Sequence, residues 1–313
     1  MSRKKRSVYL ALCAVLLAVM AFSGWKVVTL LTEYRKGTQT YQKMEELSLL
    51  PPAPESEPES EAEQTPSRNF DALWAVNPDV VAWLSIPGTK IDYPVVQGPD
   101  DQYYLRRMIT GEWNIAGSIF LDAQCSAGFS DPCSIVYGHN MRNGTMFSDL
   151  VEYKQQEFYD AHPAGLLETP EGTFEITFFS GFVANSGHGV WDLSQAKEDL
   201  PGWAAEMAGQ SWFQSGLAPK ETDWVLVLST CSYEFDNARF VLLGALTPSE
   251  AGYYSENGIS GINVPRLGCL FRKLHFSGPP RSFVSFSTFS AHSSVPPLRS
   301  FFTKVAERIF TDF

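Results

Sequence analysis

Positive charge is scarce in this chain. Its 24 lysines and arginines stand against 35 aspartates and glutamates, a formal net charge of −11 over 313 residues. No stretch carries basic residues with interleaved aromatics, which excludes the electrostatic footprint of a nucleic-acid binder. Cysteine is scarce as well. Cys13, Cys125, Cys133, Cys231 and Cys269 fit no zinc-ligand spacing, and an odd number is not the paired framework of a disulfide-stapled secreted domain. The residues therefore imply no metal and no cofactor. A long hydrophobic run occurs at one place only, and it comes first.

Arg3, Lys4, Lys5 and Arg6 precede residues 7–25, which carry no charge. Such a run, as helix, rises roughly 28 Å, close to the ~30 Å hydrocarbon core of a bilayer. Positive charge ahead of the run predicts a cytoplasmic N-terminus, with everything after it outside the cell. A cleaved signal peptide is the competing reading, because Ala21-Phe22-Ser23 loosely resembles a small-x-small site. The length of the run and its continuation into Val27-Val28-Thr29-Leu30-Leu31 favour a single-pass anchor, in which Cys13 is a small apolar residue.

Residues 1–31 thus read as basic N-terminus and transmembrane anchor, 32–69 as stalk and Pro/Glu-rich linker, 70–250 as the folded domain, and 251–313 as a C-terminal tail of uncertain order. Residues 32–50 are polar and helix-compatible. Residues 51–67 hold five glutamates, no basic residue and several prolines, a composition that forms no core and suits a tether lifting the domain off the membrane. The tail has seven Lys/Arg against three Asp/Glu from residue 253 on, a possible helix at 297–310, and no chemistry to assign.

Within the folded domain, short β-branched segments recur between Gly- and Pro-containing turns. Strands are expected near 84–86 and 92–97 and at 117–122, 133–138, 173–184, 223–230 and 238–246. That pattern predicts a mainly β protein, a closed barrel with helical insertions. One insertion opens at residues 145–150. The other, 193–213, repeats Leu200, Trp203, Ala204 and Met207 at helical spacing and should lay that face on the barrel. Cys125 and Cys133 could pair across their loop.

Three residues carry chemistry if they converge. Cys231 follows the apolar run Trp224-Val225-Leu226-Val227-Leu228 and lies among the hydroxyls of Ser229, Thr230 and Ser232, a polar strand mouth suited to a thiolate. His139 ends another strand and precedes a polar turn, and Arg239 opens the strand after Cys231. A thiolate attacks carbonyls, an imidazole moves protons and a guanidinium holds developing negative charge, which together suit acyl transfer through a thioester. His162, His188, His275 and His292 lack such a context, although His188 lies in a loop that could border a cleft.

These residues and their surroundings resemble the sortases, specifically class B. The resemblance rests on blocks in the family's order: residues 90–97, 101–105, 117–122, Tyr137-Gly138-His139 with Gly144-Thr145-Met146-Phe147, and Leu228-Ser229-Thr230-Cys231 with Arg239. The helical segment 193–213 is similar to the insertion that sets class B apart. The resemblance implies a sortase-type barrel of about eight strands and a cysteine transpeptidase outside a Gram-positive cell membrane. It cleaves a C-terminal sorting motif of surface proteins after Thr (Asn-Pro-x-Thr or Leu-Pro-x-Thr type) and passes the acyl group to an amine such as that of lipid II. Cys231 would be the nucleophile, His139 the general acid/base and Arg239 the group steadying substrate and oxyanion. Leu105, Ser229 and Thr230 match substrate-binding positions. Ser232 stands where some class B members are acidic, which puts the motif preference in doubt more than the reaction. The alternatives are a pilin-polymerising sortase and a non-catalytic anchored binding protein on a sortase-like barrel.

Overall fold

The computed structural model describes residues 3–49, 68–217 and 224–249. The Pro/Glu-rich segment, the expected helix at 297–310 and the rest of the tail lie outside the described residues, as do Cys269, His275 and His292. The described elements run α1 (Arg3–Ser48), α2 (Phe70–Trp74), β1 (Val80–Ser85), β2 (Asp92–Gln97), β3 (Ile119–Leu121), β4 (Cys133–Tyr137), α3 (Gln156–Ala161), β5 (Ala164–Thr169), β6 (Gly172–Ala184), α4 (Leu193–Glu198), α5 (Leu200–Ala208), β7 (Trp224–Cys231) and β8 (Arg239–Pro248). The eight strands close into a barrel in the order β1-β2-β3-β4-β7-β8-β6-β5, and β5 pairs back onto β1. Pairs β2·β3 and β4·β7 are parallel; the other neighbours are antiparallel. Closure leaves no strand edge unpaired, as the expected barrel requires.

Why β7 reads as an unbroken apolar run is visible in its two faces. Leu226 and Leu228 point into the barrel core with Phe240 and Leu242 of β8. Val225 and Val227 point outward into a second cluster with Val241, Leu243 and the helices. A strand covered on both faces has no reason to alternate. The outer cover is α5, whose Leu200, Trp203, Ala204 and Met207 are the buried residues, as the helical spacing predicts. Each large apolar side chain buried there contributes on the order of 2 kcal/mol.

The insertion is two helices rather than one. Asp199 ends α4 and caps α5, its Oδ1 accepting from Gly202 N at 3.0 Å, and Pro201 sits in the first turn where no N–H is needed. The segment expected to open a helix at 145–150 forms a 3-10 turn, Ser148–Lys154. Strand β5 escapes the sequence reading because Glu168 interrupts its apolar pattern. In the fold Glu168 is buried and paired with Arg68 at 3.1 Å. Arg68 also pairs with Asp92 at 2.9 Å and stacks over Trp83, fastening β1, β2 and β5 at one point.

Residues 32–48 continue α1 without a break, and they do not stand clear of the barrel. Gly37, Tyr41, Met44 and Ser48 form a buried stripe at helical spacing. Asn114 Nδ2 donates to the Glu33 carbonyl at 3.0 Å and to its carboxylate at 2.9 Å, and Lys36 pairs with Glu112 at 3.4 Å. Gln42, Lys43, Glu45 and Glu46 are exposed. Before this half, Leu12, Leu16, Val19, Met20 and Val28 are all exposed, on a helix long and apolar enough to cross a membrane.

Candidate active site

The parallel pairing of β4 and β7 builds the site. Tyr137 is the register partner of Ser229, and Gly138 N donates to the Ser229 carbonyl at 3.1 Å. Because parallel strands advance together, His139 and Cys231 each follow two residues beyond that rung and arrive at the same rim. Thr230 Oγ1 fastens the junction by donating to the Gly138 carbonyl at 2.8 Å, and Asn140 Nδ2 donates to the Cys231 carbonyl at 3.0 Å. Antiparallel β8 completes the set: Cys231 is the register partner of Arg239. The connection between them turns at Asn237, which takes the left-handed conformation (φ 60°) that Asn tolerates better than most residues. Cys231, His139 and Arg239 are each half-buried, so the three side chains expected from sequence share one partly accessible rim.

His139 Nε2 lies 2.7 Å from the Leu105 carbonyl oxygen. A carbonyl only accepts, so Nε2 carries the proton and the neutral ring keeps its lone pair on Nδ1. Burial holds the imidazole below its usual pKa; the Leu105 carbonyl opposes this, and the Arg106 and Arg239 guanidinium groups add to the depression. Leu105 belongs to a 3-10 turn, Tyr103–Arg106, and its structural duty is carried by its backbone oxygen while its side chain packs on the core. Ser229 and Thr230, expected at the substrate groove, are buried.

Several contacts around the site are visible only in the fold. Ser232 Oγ accepts from Lys154 Nζ at 3.0 Å and donates to Glu234 at 2.5 Å, while Lys154 also pairs with Glu234, so a Lys–Ser–Glu cluster braces the loop after Cys231. Asn140 was adjacent to His139 in sequence, but only the fold shows its bond to the Cys231 carbonyl. His188 does not join the site: it accepts from Val190 N and donates to Gln210, clasping the loop before α4 to the end of α5. His162 Nδ1 donates to the Phe158 carbonyl at 3.0 Å. Cys125 and Cys133 are both buried and unpaired. Burial pushes the Cys125 thiol up to about 11 and the Cys133 thiol still further. Among the described residues no group of His, Cys, Asp and Glu is arranged to hold a metal.

Comparison with known proteins bears on this arrangement. The sortase domain family matches residues 84–247, spanning every strand from the end of β1 to the end of β8. Sortase B of Listeria monocytogenes is 31% identical over 245 residues, covering 75% of this chain and 95% of that protein. The crystal structure of Clostridium perfringens sortase B superposes with a TM-score of 0.52 at 33% identity, covering 57% of this chain and all of that one. A Staphylococcus aureus sortase B–substrate complex gives 0.54 at 26% identity, covering 57% and 84%. With the barrel order, the helical cover and the Cys–His–Arg rim already in place, these matches establish that the chain belongs to the sortase family, among the sortase B type of cysteine transpeptidase.

Proposed function

We propose that Cys231, His139 and Arg239 are the catalytic residues of a membrane-anchored transpeptidase acting on sorting signals outside the cell. The Cys231 thiol gives its proton to the free nitrogen of His139 as Sγ attacks the carbonyl of the motif's threonine; the C–N bond to the following residue breaks, and His139 passes that proton to the leaving amine. The thioester is then attacked by an acceptor amine, whose proton passes to His139 and from it to the departing Cys231 thiolate. Arg239 faces the negative charge that develops on the carbonyl oxygen in both steps, a role typically worth about 10²–10³ in rate. The acyl group is a surface protein carrying an Asn-Pro-x-Thr or Leu-Pro-x-Thr motif, and the acceptor is a cell-wall precursor amine such as that of lipid II. Residues 7–31 of α1 cross the membrane with the N-terminus inside.

The observation that carries this reading is the register that puts Cys231 opposite Arg239 and level with His139. Mass spectrometry of the chain incubated with peptides bearing each motif core and an amine tests it, beside Cys231→Ala. Cleavage after Thr, an amine-linked product and a mass adduct on Cys231 are expected. Turnover retained in Cys231→Ala would overturn it.

A further inference from the structure

The catalytic histidine is held at two points, and both lead to the same residue of α1. The first is its ring: Nε2 donates to the Leu105 carbonyl. That carbonyl is backed by Gly117, whose φ of +59° and missing side chain let its backbone lie flush against it; a Cβ there would collide with the Leu105 oxygen. Gly117 is held in turn from outside the barrel, where Tyr41 Oη donates to its carbonyl at 2.6 Å. The second point is the backbone of His139, whose carbonyl accepts from Phe147 N at 2.9 Å. The neighbouring Met146 N donates to Tyr93 Oη at 3.0 Å, and the Tyr93 ring meets the Tyr41 ring edge-on at 5.4 Å.

Resting on the reading of His139 as acid/base, we propose that Tyr41 is a positioning residue for that histidine, through which the docked half of the anchor helix sets the catalytic geometry. Tyr41 touches neither Cys231 nor any reacting atom. Its hydroxyl fixes Gly117, Gly117 fixes where the Leu105 oxygen lies, and that oxygen fixes the ring and its Nε2–H tautomer. The charged groups facing the imidazole, Arg106 from the Tyr103–Arg106 turn and Arg239 from β8, both disfavour its cationic form. A slackened Leu105 carbonyl would leave them unopposed.

Tyr41→Phe tests this in the full-length chain, because it keeps the buried ring and removes only the hydroxyl, which also lies 3.1 Å from Ser118 Oγ. Turnover of a quenched Asn-Pro-x-Thr peptide should show kcat lowered about tenfold with KM within about twofold. In protein with isotope-labelled histidine, the His139 Nε2–H resonance should shift. Met44→Ala, which loosens the same helix without touching the relay, should lower Tm yet leave kcat and that resonance in place. An unchanged His139 resonance in Tyr41→Phe would overturn the proposal, as would an equal loss of kcat in Met44→Ala. Turnover surviving in His139→Ala would instead overturn the acid/base reading, while the resonance still decides whether Tyr41 positions the ring.

Discussion

Cys133 and Cys231 sit at opposite ends of one pair of parallel strands, and they have opposite surroundings. Cys133 opens β4, pairs in register with Val225, and is sealed in the apolar cluster beneath α4 and α5, where burial drives its thiol pKa far upward. Cys231 closes β7 at the other end, half-buried, opposite a guanidinium and level with an imidazole. The residue type is the same and the strands are neighbours. What differs is whether the strand's end is covered, and the proposed nucleophile is the cysteine at the open rim.

The largest expected effect is the removal of one side of that contrast. Cys231→Ala should lower thioester formation and amine transfer by at least about 10⁴-fold, while Cys133→Ala retains turnover and loses only about 1 kcal/mol of stability. Steady-state rates and denaturant melts read the two. Next comes the cover over the silent cysteine. Trp203→Ala should destabilise the fold by about 3–5 kcal/mol and open Cys133 to a methanethiosulfonate label that in wild-type protein reaches Cys231 and not Cys133, with peptide mapping as the readout. If Cys133 is modified as fast as Cys231 in folded wild-type protein, the comparison fails.

Smaller effects sharpen the active end. Thr230→Val leaves the Gly138 carbonyl short of its donor and should cost about 1–2 kcal/mol, measured by urea unfolding. The smallest concerns pH. The folded pKa of His139 lies below the unfolded value of about 6.5, so between the two the unfolded chain binds more protons. Stability is therefore full above the unfolded value and is lost as pH falls toward the folded one. The fall in Tm between pH 7.5 and 5.5 should be smaller in His139→Gln than in wild type; an equal fall would show that the imidazole is not held neutral by burial.

The parts of this molecule legible in sequence are those whose cause is local. The β7 run is apolar without alternation as far as Leu228 because both faces of the strand are covered, and the α5 stripe is a spacing of three and four residues. The Cys–His–Arg set was legible because strand ends in a barrel gather at rims. The parts that were not legible depend on partners far along the chain. Asn140 finds the Cys231 carbonyl across 91 positions, and Glu168 tolerates a barrel strand only because Arg68 lies 100 positions earlier. The docking of α1 lay between these cases. Its stripe at Gly37, Tyr41, Met44 and Ser48 has helical spacing, but two of the four are polar or lack a side chain, so hydrophobicity alone did not mark it as buried.

One consequence of the unbroken α1 is rotational. An α-helix advances ~1.5 Å and turns about 100° with each residue. With α1 seated in a bilayer as proposed, one residue inserted between Leu31 and Glu33 would scarcely raise the barrel, yet it would swing the rim bearing Cys231 by more than a quarter turn. Seven residues would raise it about 10 Å and return it to within about 20° of its first heading. On that proposal the anchor would work as a crankshaft rather than a leash: it would set the compass bearing of the proposed active site relative to the membrane, a property that a flexible tether of the same length does not have.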